Sequence, residues 1–178
     1  PVDTILVGHD YAFFHLRLAL NENLQPLDSI WIALDTYWQD VGEKILPTGD
    51  TIVNRAEFAI KITNFDAEMY VTQAYDQYGI LFGGSPPEQK YRSVPTTGAP
   101  WNILRWRNNV GALDIQYIGN MQTRYRFIPP SSRDAVVISE NLIDIRLPWS
   151  LLHYVDPSMR RVIHDDRATP AREATISD

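Results

Sequence analysis

Two stretches of this sequence, 11–20 and 29–35, alternate between apolar and polar side chains with a period of two residues. The apolar positions of the first stretch are Phe14, Leu16, Leu18 and Leu20, and His15 and Arg17 lie between them. Successive side chains of a β-strand point to opposite faces, so such a stretch can bury one face and leave the other in water. A helix would scatter the same residues around its axis. The pattern predicts an all-β fold in which two packed antiparallel sheets form a β-sandwich of the jelly-roll type.

The same alternation recurs further along the chain. In 56–63 it predicts that Glu57 and Lys61 point outward, and a turn at 64–66 leads to a hairpin partner at 68–74. Further apolar positions predicted to face inward are Phe58, Ile60, Ile62, Ile143 and Ile145. Additional strands are predicted at 102–107, 113–118, 121–127, 136–138 and 142–147. The segment 79–100 is rich in Gly, Pro, Ser and Thr and is predicted to be a long loop.

One short helical turn is predicted near the C-terminus, at 149–153. Pro148 precedes it at a position where the first turn of a helix tolerates proline, and Pro157 ends it. A short amphipathic turn needs an anchor, so Trp149 is predicted to lie in the core.

The length of 178 residues suits one large β domain, because nothing in the sequence resembles a linker between two cores. We assign the sandwich domain to 1–166. Residues 167–178 are predicted to be a polar tail or the start of a truncated final strand. At the other end, the first predicted strand follows Pro1 so closely that the edge strand normally preceding it is expected to be missing. Both ends are those expected of a domain excised from a longer polypeptide or terminating one.

Charge and composition argue against several classes of function. A net charge of −6 at pH 7 disfavours nucleic-acid binding, which needs a concentrated basic surface. No apolar stretch approaches the roughly 20 residues that span a bilayer, so no membrane insertion by this domain is expected. The lack of cysteine excludes disulfides, thiolate zinc sites and thiol catalysis.

Three strand-forming segments and the C-terminal region carry a family resemblance. The segments are His9-Asp-Tyr-Ala-Phe-Phe-His-Leu-Arg-Leu18, Ile32-Ala-Leu-Asp-Thr-Tyr37 and Glu57-Phe-Ala-Ile-Lys-Ile62. The closing region is Ile145-Arg-Leu-Pro-Trp-Ser-Leu-Leu-His-Tyr-Val-Asp-Pro-Ser158 with Arg161-Val-Ile-His-Asp-Asp166. Together they resemble the family 9 carbohydrate-binding-like sandwiches, which are relatives of DOMON domains, and in particular a bacterial branch of that group.

The resemblance implies a non-catalytic, carbohydrate-binding-like module at the C-terminal end of a larger bacterial protein. That protein would be extracellular, periplasmic or displayed on the cell surface. The implied partners are a glycan and the other domains of the parent chain. In sugar-binding members of the group, aromatic rings flank the ligand and a calcium ion often braces the sandwich. No cofactor is required under this interpretation, and Ca²⁺ is an optional one.

Aromatic side chains supply the candidates for sugar binding. A pyranose presents faces of C–H bonds to a flat exposed ring, while amides and carboxylates grip its hydroxyls. The candidate residues are Tyr37, Trp38, Asp40, Trp101, Asn102 and Trp106. We expect the loop after residue 36 and the segment 101–109 to meet at one side of the sandwich as a groove. The alternative for each ring is that it covers one mouth of the core.

Metal and catalytic signals are weaker. Asp10 and Asp35 are the candidate ligands for calcium, which takes several carboxylates and carbonyls, but no compact Asp-x-Asp-x-Asp loop occurs. Gly-x-Ser-x-Gly, His-Glu-x-x-His and phosphate-binding glycine-rich motifs are missing, so no catalytic site is predicted. Some DOMON relatives hold haem between Met and His, and the spacing of Met69 and Met121 does not support that here.

Two functions from different classes therefore stay open. One is glycan binding through exposed aromatics, and the other is a structural or protein-interaction sandwich with no small ligand. Exposed coplanar rings in a groove would favour the first. A flat apolar patch without a groove would favour the second, because such patches mark protein contacts.

Overall fold

The computed structural model describes residues 2–37, 41–76, 98, 100–107, 115–117, 121–125, 127–165 and 174–177. The strands are β1 (Val2–His9), β2 (Phe13–Leu20), β3 (Ile30–Leu34), β4 (Glu43–Ile45), β5 (Thr51–Ala56), β6 (Phe58–Ile62), β7 (Ala67–Thr72), β8 (Trp101–Ile103), β9 (Arg105–Arg107), β10 (Ile115–Tyr117), β11 (Thr123–Tyr125), β12 (Val136–Ser139), β13 (Leu142–Pro148), β14 (Tyr154–Asp156), β15 (Arg161–Asp165) and β16 (Ala174–Ser177). Helical structure in the described residues is limited to 3-10 turns at Gln73–Tyr75, Trp149–Leu152 and Pro157–Met159. The all-β prediction and the predicted short turn after Pro148 are confirmed.

Two main sheets enclose the core. One has the strand order β1-β2-β13-β12-β11, and the other has the order β3-β6-β7-β8. Three smaller sheets, β4-β5, β9-β10 and β14-β15-β16, complete the described strands. In the described part of the chain, no helical element is long and apolar enough to cross a membrane.

Alternation places the apolar side chains of both main sheets in one cluster. The central members are Leu16, Leu18, Ile143 and Ile145 from the first sheet, and Phe58, Ile60, Ile62 and Met69 from the second. Burying each such side chain contributes roughly 1.5–3 kcal/mol to the free energy of unfolding. The residues predicted to face inward are buried, except that Phe14 is only partly buried at the edge of the cluster.

An edge strand does precede the first predicted strand, so the expectation that it is missing was wrong. β1 pairs antiparallel with β2 from His9 opposite Phe14 to Val2 opposite Leu20. The sequence of β1 hides this, because Ile5, Leu6 and Val7 are consecutive apolar residues and no polar residue alternates with them.

Two segments differ from the predicted strands. The predicted strand at 102–107 is divided into β8 and β9 by Leu104, which is buried and donates its N–H to the Met69 carbonyl at 2.9 Å. β11 runs parallel to β12, whereas β10 pairs with β9. Within 167–178, β16 pairs antiparallel with β15. The strands predicted at 136–138 and 142–147 are present as β12 and β13, which pair antiparallel as a hairpin.

A close backbone approach at Gly42 brings the start of β4 against the end of β5 and the Glu57 side chain. Gly42 has φ of 90°, and a Cβ at this position would lie 2.7 Å from the Ala56 backbone and from the Glu57 carboxylate. Gly49 has nearly the same φ, 91°, but a Cβ there would meet nothing within 4 Å. Comparing the same substitution at the two glycines therefore distinguishes the cost of backbone strain from the cost of crowding.

We expect Gly42→Ala to be much more destabilising than Gly49→Ala. Gly49→Ala carries only the cost of a left-handed conformation, about 1–2 kcal/mol. Gly42→Ala adds overpacking against main-chain atoms, about 1–3 kcal/mol more. Urea unfolding of both variants measures the difference in the free energy of unfolding. Equal losses would show that the chain at Gly42 can move away from Ala56 and Glu57 without further cost.

Candidate functional site

Elements of both main sheets end together at one end of the sandwich. We call it the aromatic end and define it by the turns 10–12, 35–37 and 73–76 and the segment 149–160. The segment 149–160 bridges the sheets: the Trp149 ring lies 5.8 Å from that of Phe14 in β2. The His153 ring lies 5.1 Å from that of Phe58 in β6.

A stack of rings closes the core at this end. Tyr37 stacks on Tyr75 with ring centroids 5.2 Å apart, and Tyr75 lies 4.7 Å from the ring of His153. The Tyr75 hydroxyl donates to the Ile163 carbonyl at 2.8 Å. Tyr37 therefore covers the mouth of the core. This is the alternative considered above for each candidate sugar-binding ring.

Asn102 and Tyr37, one residue from each of the two predicted binding segments, contact neighbouring residues of the turn 73–76. Asn102 donates its side-chain N–H to the Asp76 carboxylate at 2.8 Å, and Asp76 adjoins Tyr75, on which Tyr37 stacks. Trp101 is different, because its indole N–H donates to the Ile45 carbonyl at 2.8 Å. It lines a separate cavity of about 420 Å³ beside the β4–β5 hairpin.

The remaining predicted sugar-binding residues cannot be placed at the aromatic end. Trp38 and Asp40 lie outside the described residues. The backbone of Trp106 belongs to β9, and its side chain is also outside the described part.

Glu57, which the alternation predicted to point outward, is completely buried. A break between β5 and β6 turns it inward: its N–H donates to the Leu34 carbonyl, and its own carbonyl accepts from the Thr72 N–H. The Thr36 N–H donates to the carboxylate oxygen Oε2 at 2.8 Å. Among the described residues, Oε1 has no hydrogen-bond partner.

Burial controls the titration of the groups around this carboxylate. Desolvation, with a smaller contribution from the charge of Asp35, raises the pKa of Glu57 to about 7 against the opposing effect of the Thr36 N–H. Burial also raises the pKa of Asp35. Complete burial lowers the pKa of His153 to about 4, although the charge of Asp76 acts in the opposite direction. Glu57 and His153 are both buried. We therefore expect their titration to change the stability of the fold rather than the binding of a ligand.

Asp10, one of the two predicted calcium ligands, holds a turn in place. Asp10 caps the β1–β2 turn: Oδ1 accepts from the N–H groups of Ala12 and Phe13, each at 2.8 Å. Its Oδ2 lies 3.0 Å from His15 Nε2, and these bonds lower the pKa of Asp10 to about 2. No group of three or more His, Cys, Asp or Glu side chains within the described ranges could hold a metal ion.

An open cleft lies beside Asp10, and we call it the Trp149 cleft. It encloses about 830 Å³ and is lined by His9, Asp10, Tyr11, Trp149, Tyr154, Val155, Asp156, Pro157, Ser158 and Arg160. The indole N–H of Trp149 donates to the Asp10 carbonyl at 2.9 Å. The Trp149 ring also meets Tyr154 edge-on, with centroids 5.1 Å apart. These contacts fix the indole while it contributes to an open surface.

Trp149 is therefore only partly in the core, in contrast to its prediction as a buried anchor. Tyr11, which is not among the predicted binding residues, has a fully exposed side chain at the tip of the β1–β2 turn. A bulky aromatic between Asp10 and Ala12, at a turn, was the signal that could have identified it.

A second cavity, of about 530 Å³, lies on the outer face of the first sheet. Its charges neutralise each other: Arg17 pairs with Asp144, and Arg124 pairs with Asp134 at 2.6 Å. Arg146 lies over the Phe13 ring at 4.7 Å and donates to backbone carbonyls. The paired charges and satisfied donors make this surface less suited to a ligand than the Trp149 cleft.

We found no match to this chain among protein-family models, curated proteins or solved structures.

Glu57 and His153 should have opposite effects on the pH dependence of stability. The folded chain retains a proton on Glu57 between pH 4.5 and about 7, so this group lowers the free energy of unfolding as pH rises through that interval. The unfolded chain binds a proton at His153 below pH 6.5, whereas the folded chain does so only below about 4. His153 therefore raises the free energy of unfolding as pH rises from 4 to 6.5.

Single substitutions separate the two effects. Relative to the unsubstituted chain, Glu57→Gln should gain stability progressively from pH 4.5 to 7, by up to about 3 kcal/mol. The free energy of unfolding of His153→Gln, measured relative to the unsubstituted chain, should fall as the pH rises from 4 to 6.5. Urea unfolding at a series of pH values measures both differences. Difference profiles that do not vary with pH would contradict the assignment.

Proposed function

We propose that this chain is a non-catalytic module that binds a glycan in the Trp149 cleft. The observation that carries the proposal is an immobilised indole facing an open cavity whose rim combines further rings with charged groups. As the family resemblance suggests, we propose that the module belongs to a larger bacterial protein that is secreted or displayed at the surface.

The apolar part of the cleft suits the C–H face of a sugar ring. Trp149 is held by its hydrogen bond to Asp10 and by its contact with Tyr154, so little side-chain freedom remains to be lost on binding. Tyr11 adds a second ring that is fully exposed. The volume of about 830 Å³ lies within the range of about 300–1,000 Å³ usual for small-molecule sites.

The polar part of the rim supplies partners for hydroxyl groups. The hydrogen bonds to Asp10 and Asp156 lower the pKa of both carboxyls, so both are ionised acceptors near neutral pH. Arg160 supplies donors on the same rim. Asp156 also fixes the local chain, because its carboxylate accepts from the N–H groups of Ser158 and Met159.

The proposed binding site still lies at the aromatic end, but its residues differ from those predicted from the sequence. Tyr37 and Asn102 become supports of the core mouth, whereas Trp149 and Tyr11 become the binding rings. Two rings and several hydrogen bonds support binding in the roughly millimolar to micromolar range.

Tyr11→Ala and Phe65→Ala form a matched pair for the test. Both remove an exposed aromatic from a turn, but Phe65 lies in the β6–β7 turn, at the other end of β6 from Phe58. We expect soluble oligosaccharides to shift the indole NMR signal of Trp149, identified through Trp149→Phe. Tyr11→Ala should weaken the affinity about five-fold or more, equivalent to about 1 kcal/mol. Phe65→Ala should leave it unchanged.

Two results would contradict glycan binding in this cleft. One is that no oligosaccharide of a broad panel shifts the Trp149 signal at millimolar concentration. The other is that Tyr11→Ala and Phe65→Ala bind equally well. Circular dichroism of both variants controls for folding.

A protein-interaction function is the second candidate, and the surface of β1 favours it. All eight residues of this strand are exposed, including Ile5, Leu6 and Val7. Exposed contiguous apolar surface is typical of contact sites. The two functions use different surfaces, so one does not exclude the other.

A further inference from the structure

All eight residues of β1 are exposed, and the three at its centre are apolar. Ile5 and Leu6 are each 58% exposed and Val7 is 66% exposed. In the register with β2, Val7 lies beside Leu16 and Ile5 beside Leu18, and both leucines are buried. Ile5 and Val7 thus belong to the core-facing side of the sheet, and the second sheet does not cover them.

The outer backbone edge of β1 is also open. β1 lies at the end of the five-stranded sheet, so within the described residues only β2 pairs with it. Folded proteins usually protect such edges with lysine, proline, short strands or bulges. β1 has eight residues, no lysine and no proline, and its single bulge lies at its start, between Val2 and Thr4. The opposite edge of this sheet, β11, has only three residues.

We propose that β1 pairs antiparallel with β1 of a second copy of this chain, about a two-fold axis at Leu6. A two-fold axis perpendicular to the sheet keeps each residue on its own face, so residues directly opposite each other have an even sum of positions. Centred on Leu6, the register places Ile5 opposite Val7 of the second copy, and Thr4 opposite Gly8.

Charge supports this occupant and this register. The charged or ionisable residues of β1 are Asp3 near its beginning and His9 at its end. Pairing about Leu6 places each Asp3 opposite the His9 of the second copy, and the symmetry produces this contact twice. The core-facing Ile5 and Val7 of both copies come together as one apolar cluster, and the two five-stranded sheets become continuous.

Mass measurement by light scattering coupled to gel filtration tests the pairing. The chain of 20.4 kDa should behave as a dimer at micromolar concentration. Val7→Lys should convert it to a monomer, because a lysine pointing into the joined face blocks edge pairing. Val53→Lys is the matched control, since Val53 is an 89% exposed strand valine in β5. It should stay dimeric, and circular dichroism should show that both variants remain folded.

A single cysteine tests the register, since the chain has none of its own. Leu6→Cys should form an intermolecular disulfide rapidly on mild oxidation, because directly opposite Cβ atoms lie about 4.5–5.5 Å apart. Val53→Cys should not. A monomeric chain, a Val7→Lys variant that stays dimeric, or equal oxidation of the two cysteine variants would each overturn the proposal.

Discussion

The pairing of β2 with β13 is the constraint on which the rest of the molecule depends. It joins the N-terminal and C-terminal parts of the chain along seven residue pairs, from Leu142 opposite Ala19 to Pro148 opposite Phe13. Both strands alternate, so a slip of one residue would expose Ile143 and Ile145 and bury charged neighbours. The same register delivers Pro148 to the aromatic end. There Trp149 packs on Phe14 of the first sheet, and His153, four residues later, packs on Phe58 of the second sheet.

Much of this architecture can be read from the sequence because period-two alternation is a local property. It identifies β2, β3, β6 and β13 and the faces that they bury, and the turn at Glu140 and Asn141 identifies the β12–β13 hairpin. Alternation arises because one face of a strand is buried. Neither face of β1 is buried, so its sequence does not alternate and does not identify it as a strand. The sequence does not identify the parallel pairing of β11 with β12 either, because this pairing depends on contacts between distant segments.

The aromatic end was predictable as a region but not in its details. Tyr37 and Asn102 do lie there, because strand ends of one sheet share an edge. Whether a ring opens to solvent or closes on the core depends on neighbours such as Tyr75, which are far away in sequence. Glu57 shows the limit most clearly: the alternation counts it as outward, but the break before β6 and the hairpin over it decide otherwise.

Asp10 links the local chemistry of a turn to the geometry of the cleft. Its side chain orders the β1–β2 turn through two main-chain amides, and its own carbonyl holds the indole of Trp149. Loss of that side chain would loosen Tyr11 and Trp149 together, because both depend on one short piece of backbone. A single residue thereby couples the rotational freedom of two rings, and the two sides of the cleft behave as one mechanical unit.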